Sequence, residues 1–283
     1  MNIREISSDE IICAVKKLFI DCNYYIGDDI MNALVKARDN EDTQLARDVL
    51  TQIIDNDHIA AQEQIPMCQD TGMAVLFVEY GDRVVVDGCG FNAAVEEGVR
   101  RAYTDGYLRK SVVSDPVFDR VNTKDNTPPV IHTTIVPGDK IHIVAGGKGF
   151  GSENMSAIKM LTPSAGVEGV KKFVLDSVAY AGPNPCPPIV VGVGIGGTFE
   201  KAAQLAKKAT FRSIASSHPD GRYAALEREL LEQINTMGTG PAGLGGKTTA
   251  LGVNIETYPT HIAGMPVAVN ICCHACRHGE VTI

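Results

Sequence analysis

Apolar residues recur near the amino terminus at Ile11, Ile12, Val15, Leu18 and Phe19, a spacing that gathers them on one face of a helix. Ser7 followed by Glu10 supplies the S-x-x-E pattern of a capping box, so that helix is expected to start there. The same periodicity returns over 28–36 and 43–54, and residues 1–65 read as a mainly helical lobe. From Gly72 the texture changes. Residues 73–80 form a short apolar run expected to be a buried strand, 91–107 read as helix and 140–145 as a second strand. Further helices are expected over 164–180, 199–216 and 221–235, and strands over 189–193 and 266–271, each bounded by Gly or Pro clusters. No internal repeat is visible in the residues. The expected fold is α+β, an N-terminal helical region (1–65) followed by a mixed α/β core (66–283), together one domain.

Composition narrows the function. The chain has 283 residues, 44% hydrophobic and 21% charged, which is the ordinary globular range. Its 34 acidic and 26 basic residues give a formal charge of -8, and no basic stripe interleaved with aromatics appears, so nucleic acid is not the expected partner. The first ten residues carry acids where a secretory leader needs a basic and apolar start, and no apolar run approaches the roughly 20 residues that span a bilayer. A cytoplasmic protein that does not enter a membrane is expected.

The eight cysteines, at 13, 22, 68, 89, 186, 272, 273 and 276, then read as reduced thiols, metal ligands or catalytic groups rather than a disulfide framework. Cys13, amid the apolar residues of the first helix, is expected in the core, and Cys22 and Cys89 carry no chemical signal. Three familiar patterns are weak. Gly192-Val-Gly194-Ile-Gly196-Gly197 fits G-x-G-x-x-G, but no acidic residue closes a second strand about 20 residues on. Gly240 to Thr248 resembles a phosphate loop with no strand before it, although its amides and Lys247 suit an anion or cluster sulfur. Cys273-His-Ala-Cys276 lacks the second pair that a zinc ribbon requires.

Three cysteines stand in Gly- or Pro-rich segments at strand ends: Cys68 in PMCQDTG, Cys186 in GPNPCPP and Cys273 in VNICCHA. Prolines on both sides of Cys186 remove backbone donors and stiffen its loop, which suits a fixed ligand. Spacing alone does not establish a metal site. The five segments Pro66 to Gly72, Lys148 to Ser156, Gly182 to Pro188, Gly238 to Thr249 and Pro259 to Arg277, in this order, resemble the alpha subunit of the iron-sulfur fumarate hydratases and L(+)-tartrate dehydratases. The resemblance covers nearly the whole chain, and its motifs are highly specific in combination.

That resemblance implies a 4Fe-4S cluster held by Cys68, Cys186 and Cys273, with one iron left open as a Lewis acid in the mixed core. It implies Gln69 and Asp70 along the substrate site, Arg109 gripping a substrate carboxylate, Gly151 with its backbone against the substrate, and His261 reaching the site of an adjoining protomer. Cys272 and Cys276 depart from the family, which usually has glutamine and alanine there. The implied activity is that of a hydro-lyase subunit interconverting fumarate and L-malate; the close alternative is L(+)-tartrate or citramalate dehydration. A reading from another class is a noncatalytic iron-sulfur sensor or scaffold. A separate beta subunit is the implied partner, a small dicarboxylate the substrate, and a homo- or hetero-oligomer the assembly.

Overall fold

The apolar stripe of the first helix is buried as its spacing requires, and Ser7 caps it by accepting from Glu10 N. Cys13 falls between the stripe residues and faces solvent, contrary to the core position expected for it, because a helix turns it to the face opposite Ile11, Ile12 and Val15. The computed structural model describes residues 3–283. Chain order runs β1 (Arg4–Ser7), α1 (Ser8–Tyr24), α2 (Asp28–Asn40), α3 (Gln44–Glu63), β2 (Met73–Gly81), β3 (Val84–Asp87), α4 (Phe91–Asp105), β4 (Val130–Val136) and β5 (Ile141–Lys148). It continues α5 (Phe150–Glu153), β6 (Ala157–Leu161), α6 (Gly166–Ala181), β7 (Ile189–Gly196), α7 (Phe199–Ala209), α8 (Gly221–Asn235), β8 (Ala250–Tyr258), β9 (Met265–Cys272) and β10 (His278–Thr282). The fold is α+β. Among the described residues no helix is long and apolar enough to cross a membrane.

Two compact units share the chain: Met1–Gly27, Asn56–Gly149 and Arg277–Ile283 form the first, Asp28–Asp55 and Phe150–Cys276 the second. In the first, a four-stranded sheet has the order β10-β5-β2-β4. β2 is parallel to β4, reached through α4, and antiparallel to β5, with Met73 opposite Lys148. Leu76, Val78, Ile141 and Ile143 pack with Phe19, Val95, Val99 and Tyr103 of α1 and α4. Gly98 lets those helices approach: a Cβ there would stand 2.8 Å from Val15 Cβ.

The second unit's sheet has the order β6-β9-β7-β8. β7 is parallel to β8 across the α7 and α8 crossover and antiparallel to β9, with Val190 opposite Cys272. Val191, Val193, Val269 and Ile271 pack with Val174 and Val178 of α6 and Leu226 and Leu230 of α8. The first two glycines of the G-x-G-x-x-G pattern, Gly192 and Gly194, lie in β7 itself. A Cβ on Gly192 would stand 2.2 Å from Ala206 O and one on Gly194 2.1 Å from Ala202 O, so they are there to let α7 lie directly on the strand.

The helix expected over 199–216 ends at Ala209, because Asn254 Nδ2 donates to Ala209 O at 3.1 Å and Arg212 O at 2.7 Å and takes up carbonyls at the helix end. Strands β4, β6, β8 and β10 carry no clean apolar run: β4 lies at a sheet edge with exposed side chains, and β8 interleaves Gly252, Asn254 and Glu256 with its buried residues.

Candidate active site

In the first unit, Cys68, Gln69 and Asp70 lie in the turn between α3 and β2, and its backbone is anchored at nearly every step. Met67 N donates to Asn23 O at 3.0 Å and Asn56 Nδ2 to Met67 O at 2.9 Å. The buried Tyr103 hydroxyl is shared between Thr71 O at 2.9 Å and Gly72 O at 3.0 Å. Asn126 Nδ2 donates to Gly72 O at 3.1 Å, while its Oδ1 accepts from Ser111 N at 2.7 Å and Val112 N at 3.1 Å. Thr71 Oγ1 donates to Arg109 O at 3.1 Å. One hydrogen-bonded frame therefore holds the Cys68 turn and the segment bearing Arg109, with Cys68 part-exposed and Gln69 and Arg109 exposed.

Asp70 Oδ1 accepts from Gly72 N at 3.0 Å, an Asx turn that fixes the carboxylate. Its Oδ2 lies 3.1 Å, and Arg277 Nη2 3.2 Å, from the point a Cβ on Gly149 would occupy, so only glycine leaves both groups their places. Gly72, at φ 74°, lies against the Lys148 carbonyl, where a Cβ would be 2.5 Å from the carbonyl carbon. Lys148 is buried, and its Nζ donates to Gly149 O at 3.0 Å. Burial pushes the nearby Cys22 thiol up to about 12, against the pull of Arg277, so Cys22 stays protonated. Burial also raises the Tyr103 hydroxyl, which remains a donor.

In the second unit, Cys186 sits exposed in the turn before β7 with φ 56°, a left-handed conformation that a cysteine adopts only when its surroundings impose it. Its N–H donates to Pro183 O at 3.1 Å, and Pro187 O accepts from Ala242 N at 2.8 Å. Gly151, on α5, faces the same turn: a Cβ there would be 3.9 Å from Asn184 O. The segment after α5 is tied to β9, where Ser156 Oγ accepts from Ile271 N at 3.2 Å and Asn270 Nδ2 at 3.1 Å. Asn270 Nδ2 also donates to Glu153 at 3.0 Å, and Lys207 pairs with the same carboxylate. Cys273 follows β9 directly and is part-exposed. Cys272 is buried at the end of β9, a strand covered on both faces, and Cys276 is buried with its thiol 3.2 Å from Thr210 O. No disulfide joins any of the eight cysteines.

The frame of the first unit thus brings Cys68, Gln69 and Asp70 to Arg109, and the second brings Gly151 to the Cys186 turn at the sheet end where Cys273 emerges. His261 is not brought there. It lies exposed in the turn between β8 and β9, with Ala263 N donating to its Nδ1 at 3.1 Å. Cys273 follows the far end of the eight-residue β9, roughly 26 Å away at the usual rise of a strand. The anion-binding role expected of residues 240–248 is corrected: the Lys247 and Thr248 amides already bond Glu41, and Lys247 Nζ pairs with Asp42 at 2.7 Å. Tyr103, Asn126 and Glu41 carry no local motif and went unpredicted. Arg277 closes a motif quoted above, and its burial alone marks it.

The family model described as fumarate hydratase (Fumerase) matches residues 12–282. A Methanocaldococcus jannaschii protein named "Putative L(+)-tartrate dehydratase subunit alpha" is 44% identical over 93% of this chain and 94% of its own length. L(+)-tartrate dehydratase subunit alpha of Escherichia coli K12 and that of Shigella boydii are each 36% identical, over 90% of this chain and 85% of their own.

Proposed function

Because the chain belongs to the fumarate hydratase family, we propose that it is the alpha subunit of a 4Fe-4S hydro-lyase acting on a small hydroxy-dicarboxylate, with L(+)-tartrate as its substrate. The names of its relatives favour tartrate over the fumarate–malate pair expected from the motifs; the family model's own description keeps fumarate hydration as the second reading. The observation that supports the cluster best is which cysteines are accessible. Cys68, Cys186 and Cys273 each stand, with some exposure, in a turn at the end of a strand of a four-stranded sheet, whereas Cys22, Cys272 and Cys276 are buried and the exposed Cys13 and Cys89 lie on α1 and after β3 of the two-stranded sheet. These three would be the ligands, and a cluster held by three thiolates supplies one iron without a protein ligand as a Lewis acid.

The chain's own residues have separate tasks in this reading. Arg109, exposed and with its backbone fixed by Thr71, offers a planar fork that matches a carboxylate through two hydrogen bonds. Gln69, whose Oε1 accepts from the Cys68 thiol at 3.3 Å, would donate its amide NH2 to the substrate's oxygens. Asp70, with one oxygen fixed by Gly72 N, would orient a proton-transfer group. Gly151 lets the backbone approach the substrate. His261, at the other end of β9, acts in an adjoining protomer. The relatives are named subunit alpha, and a beta subunit would supply the base that takes the carbon-bound proton. A reducing cytoplasm suits eight cysteines that form no disulfide.

Anaerobic reconstitution with iron and sulfide, followed by mixing with the beta subunit and assay on L(+)-tartrate, fumarate and mesaconate, tests the whole reading. Broad visible absorbance and about four irons per chain are expected, with turnover of L(+)-tartrate above the other two. Cys68→Ser, Cys186→Ser and Cys273→Ser should each abolish the absorbance, and Cys276→Ser should retain it. A zinc-only protein, or a cluster that survives Cys273→Ser and not Cys276→Ser, would refute the ligand set. Faster turnover of fumarate would reverse the substrate order.

A further inference from the structure

The turn that presents Cys186 has few means of holding itself. Four of its residues, Pro183, Pro185, Pro187 and Pro188, have no N–H, Asn184 N and Cys186 N bond locally to Ala181 O and Pro183 O, and carbonyls of the turn are left to accept from elsewhere. The donor is Ala242 N, 2.8 Å from Pro187 O, in the loop 238–248. Gly243 of that loop packs against Pro183, where an added Cβ would stand 2.3 Å from Pro183 Cβ. The loop is itself conformationally costly. Gly240, Ala242, Gly243, Gly245 and Gly246 all have positive φ, from 52° to 132°, and Gly240 lies so close to Gly245 that a Cβ would be 2.1 Å from its carbonyl carbon.

What closes this loop is a carboxylate from the linker between α2 and α3. Glu41 is 4% exposed, and its two oxygens accept separately from Lys247 N at 2.9 Å and Thr248 N at 2.7 Å. Lys247 Nζ pairs instead with Asp42, so two peptide N–H groups are what satisfy the buried acid. Burying a carboxylate is unfavourable unless such charge-assisted bonds compensate it. Glu41 is held in turn, since its carbonyl accepts from Arg47 Nη1 at 2.7 Å and Gly246 leaves room where a Cβ would be 3.0 Å from its Oε2. Immediately after the clamped amides, Thr249 O accepts from Ile189 N at 2.9 Å, and Thr249 Oγ1 from Gly240 N at 3.2 Å. The contacts therefore run from Glu41 to Lys247 and Thr248, from the adjoining Thr249 to Gly240, and from Ala242, two residues further on, to the Cys186 turn.

We propose that Glu41 is a positioning residue for Cys186: its carboxylate clamps the glycine loop whose Ala242 amide holds the Cys186 turn in its left-handed conformation. The inference rests on the reading of Cys186 as a cluster ligand, but its test does not need a cluster. In the cluster-free full-length chain, iodoacetamide labelling followed by mass spectrometry gives the rate at Cys186 relative to Cys68 and Cys273. Glu41→Gln, which puts an amide NH2 against a peptide N–H, should change the Cys186 rate about 10-fold while leaving the other two within about 2-fold. Glu41→Asp should fall between, and Asp42→Asn, which breaks only the exposed Lys247 pair, should match the wild type. Equal relative rates in folded Glu41→Gln and wild type would overturn the proposal.

Should Glu41→Gln fail to fold, hydrogen exchange of the wild type decides. The Lys247, Thr248 and Ala242 amides should exchange at least about 100-fold more slowly than an unprotected peptide, and unprotected rates would overturn the clamp. Reconstituted Glu41→Gln should also lose its visible absorbance to a chelator about 10-fold faster than wild type. If the wild type takes up no cluster, the reading of Cys186 as a ligand fails while the labelling result still stands for or against Glu41.

Discussion

In each four-stranded sheet a first strand, β2 or β7, is joined through a helical crossover to a parallel edge strand, β4 or β8. The chain then returns antiparallel on the other side of the first strand, as β5 or β9, and a fourth strand, β10 or β6, completes the far edge. The chemistry falls in matching places. Cys68 precedes β2 and Cys186 precedes β7; Gly149 follows β5 and Cys273 follows β9; Arg109 and the glycine loop stand in the connections into β4 and β8. In such a plan the start of the first strand, the end of the return strand and the start of the parallel edge strand lie at one end of the sheet, so strand order alone gathers them. Packing differs. β2 turns Ala74, Leu76 and Val78 to the core shared with α1 and α4, whereas β7 turns Gly192 and Gly194 to α7. One arrangement of site-bearing loops is thus compatible with two ways of seating helices, by interlocking side chains or by backbone contact.

The largest effect should expose that difference. Gly194→Ala puts a methyl 2.1 Å from Ala202 O, which neither strand nor helix backbone can relieve by a rotamer change, and should cost about 3 kcal/mol or more. A loss under about 1 kcal/mol in urea unfolding would show that α7 can retreat and that backbone contact is not what seats it.

The two units also treat a buried acid differently. Glu41 has an amide on each oxygen, whereas Asp57, 2% exposed in the first unit, has Oδ2 without a hydrogen-bond partner among the described residues. Burial pushes Asp57 up to about 6, partly offset by Asn56 and His58. Its folded value lies above the unfolded one, about 3.9, so its contribution is fully favourable below about pH 4 and is lost as pH rises through about 6. Asp57→Asn should therefore stabilise the protein by about 2 kcal/mol at pH 8 and change nothing near pH 4. Equal thermal shifts at both pH values would show that Asp57 does not titrate in this range.

A smaller effect concerns the connection into β4. Asp125 accepts from Thr127 N at 3.1 Å, Thr127 Oγ1 at 2.9 Å and Arg100 Nε at 3.0 Å. Burial alone would raise it, but these bonds outweigh burial and hold its carboxyl down at about 2. That stabilisation is present above about pH 4 and is lost as pH falls through about 2. Asp125→Asn should cost about 1 kcal/mol at pH 7, since Arg100 remains partly solvated, and the difference should disappear near pH 2. A constant difference down to pH 2 would assign the effect to packing instead of charge.

Sequence by itself determined the elements whose pattern is local: the capped first helix, the strands around residues 73–80, 189–193 and 266–271, and the helix over 221–235. The motif segments around Cys68, Cys186 and Cys273 were legible too, because a ligand turn needs particular residues side by side and leaves them adjacent in the chain. What tertiary structure decided is everything that depends on partners distant in sequence. Asn254 ends α7, Tyr103 and Asn126 hold the Cys68 turn, and Glu41 closes a loop more than a hundred residues away. The glycines of β7 resembled a nucleotide fingerprint until α7 was seen lying on them. Cys13 departed from its expected core position for a related reason: exposure is set by which face a neighbouring element covers, and nothing within a few residues records that.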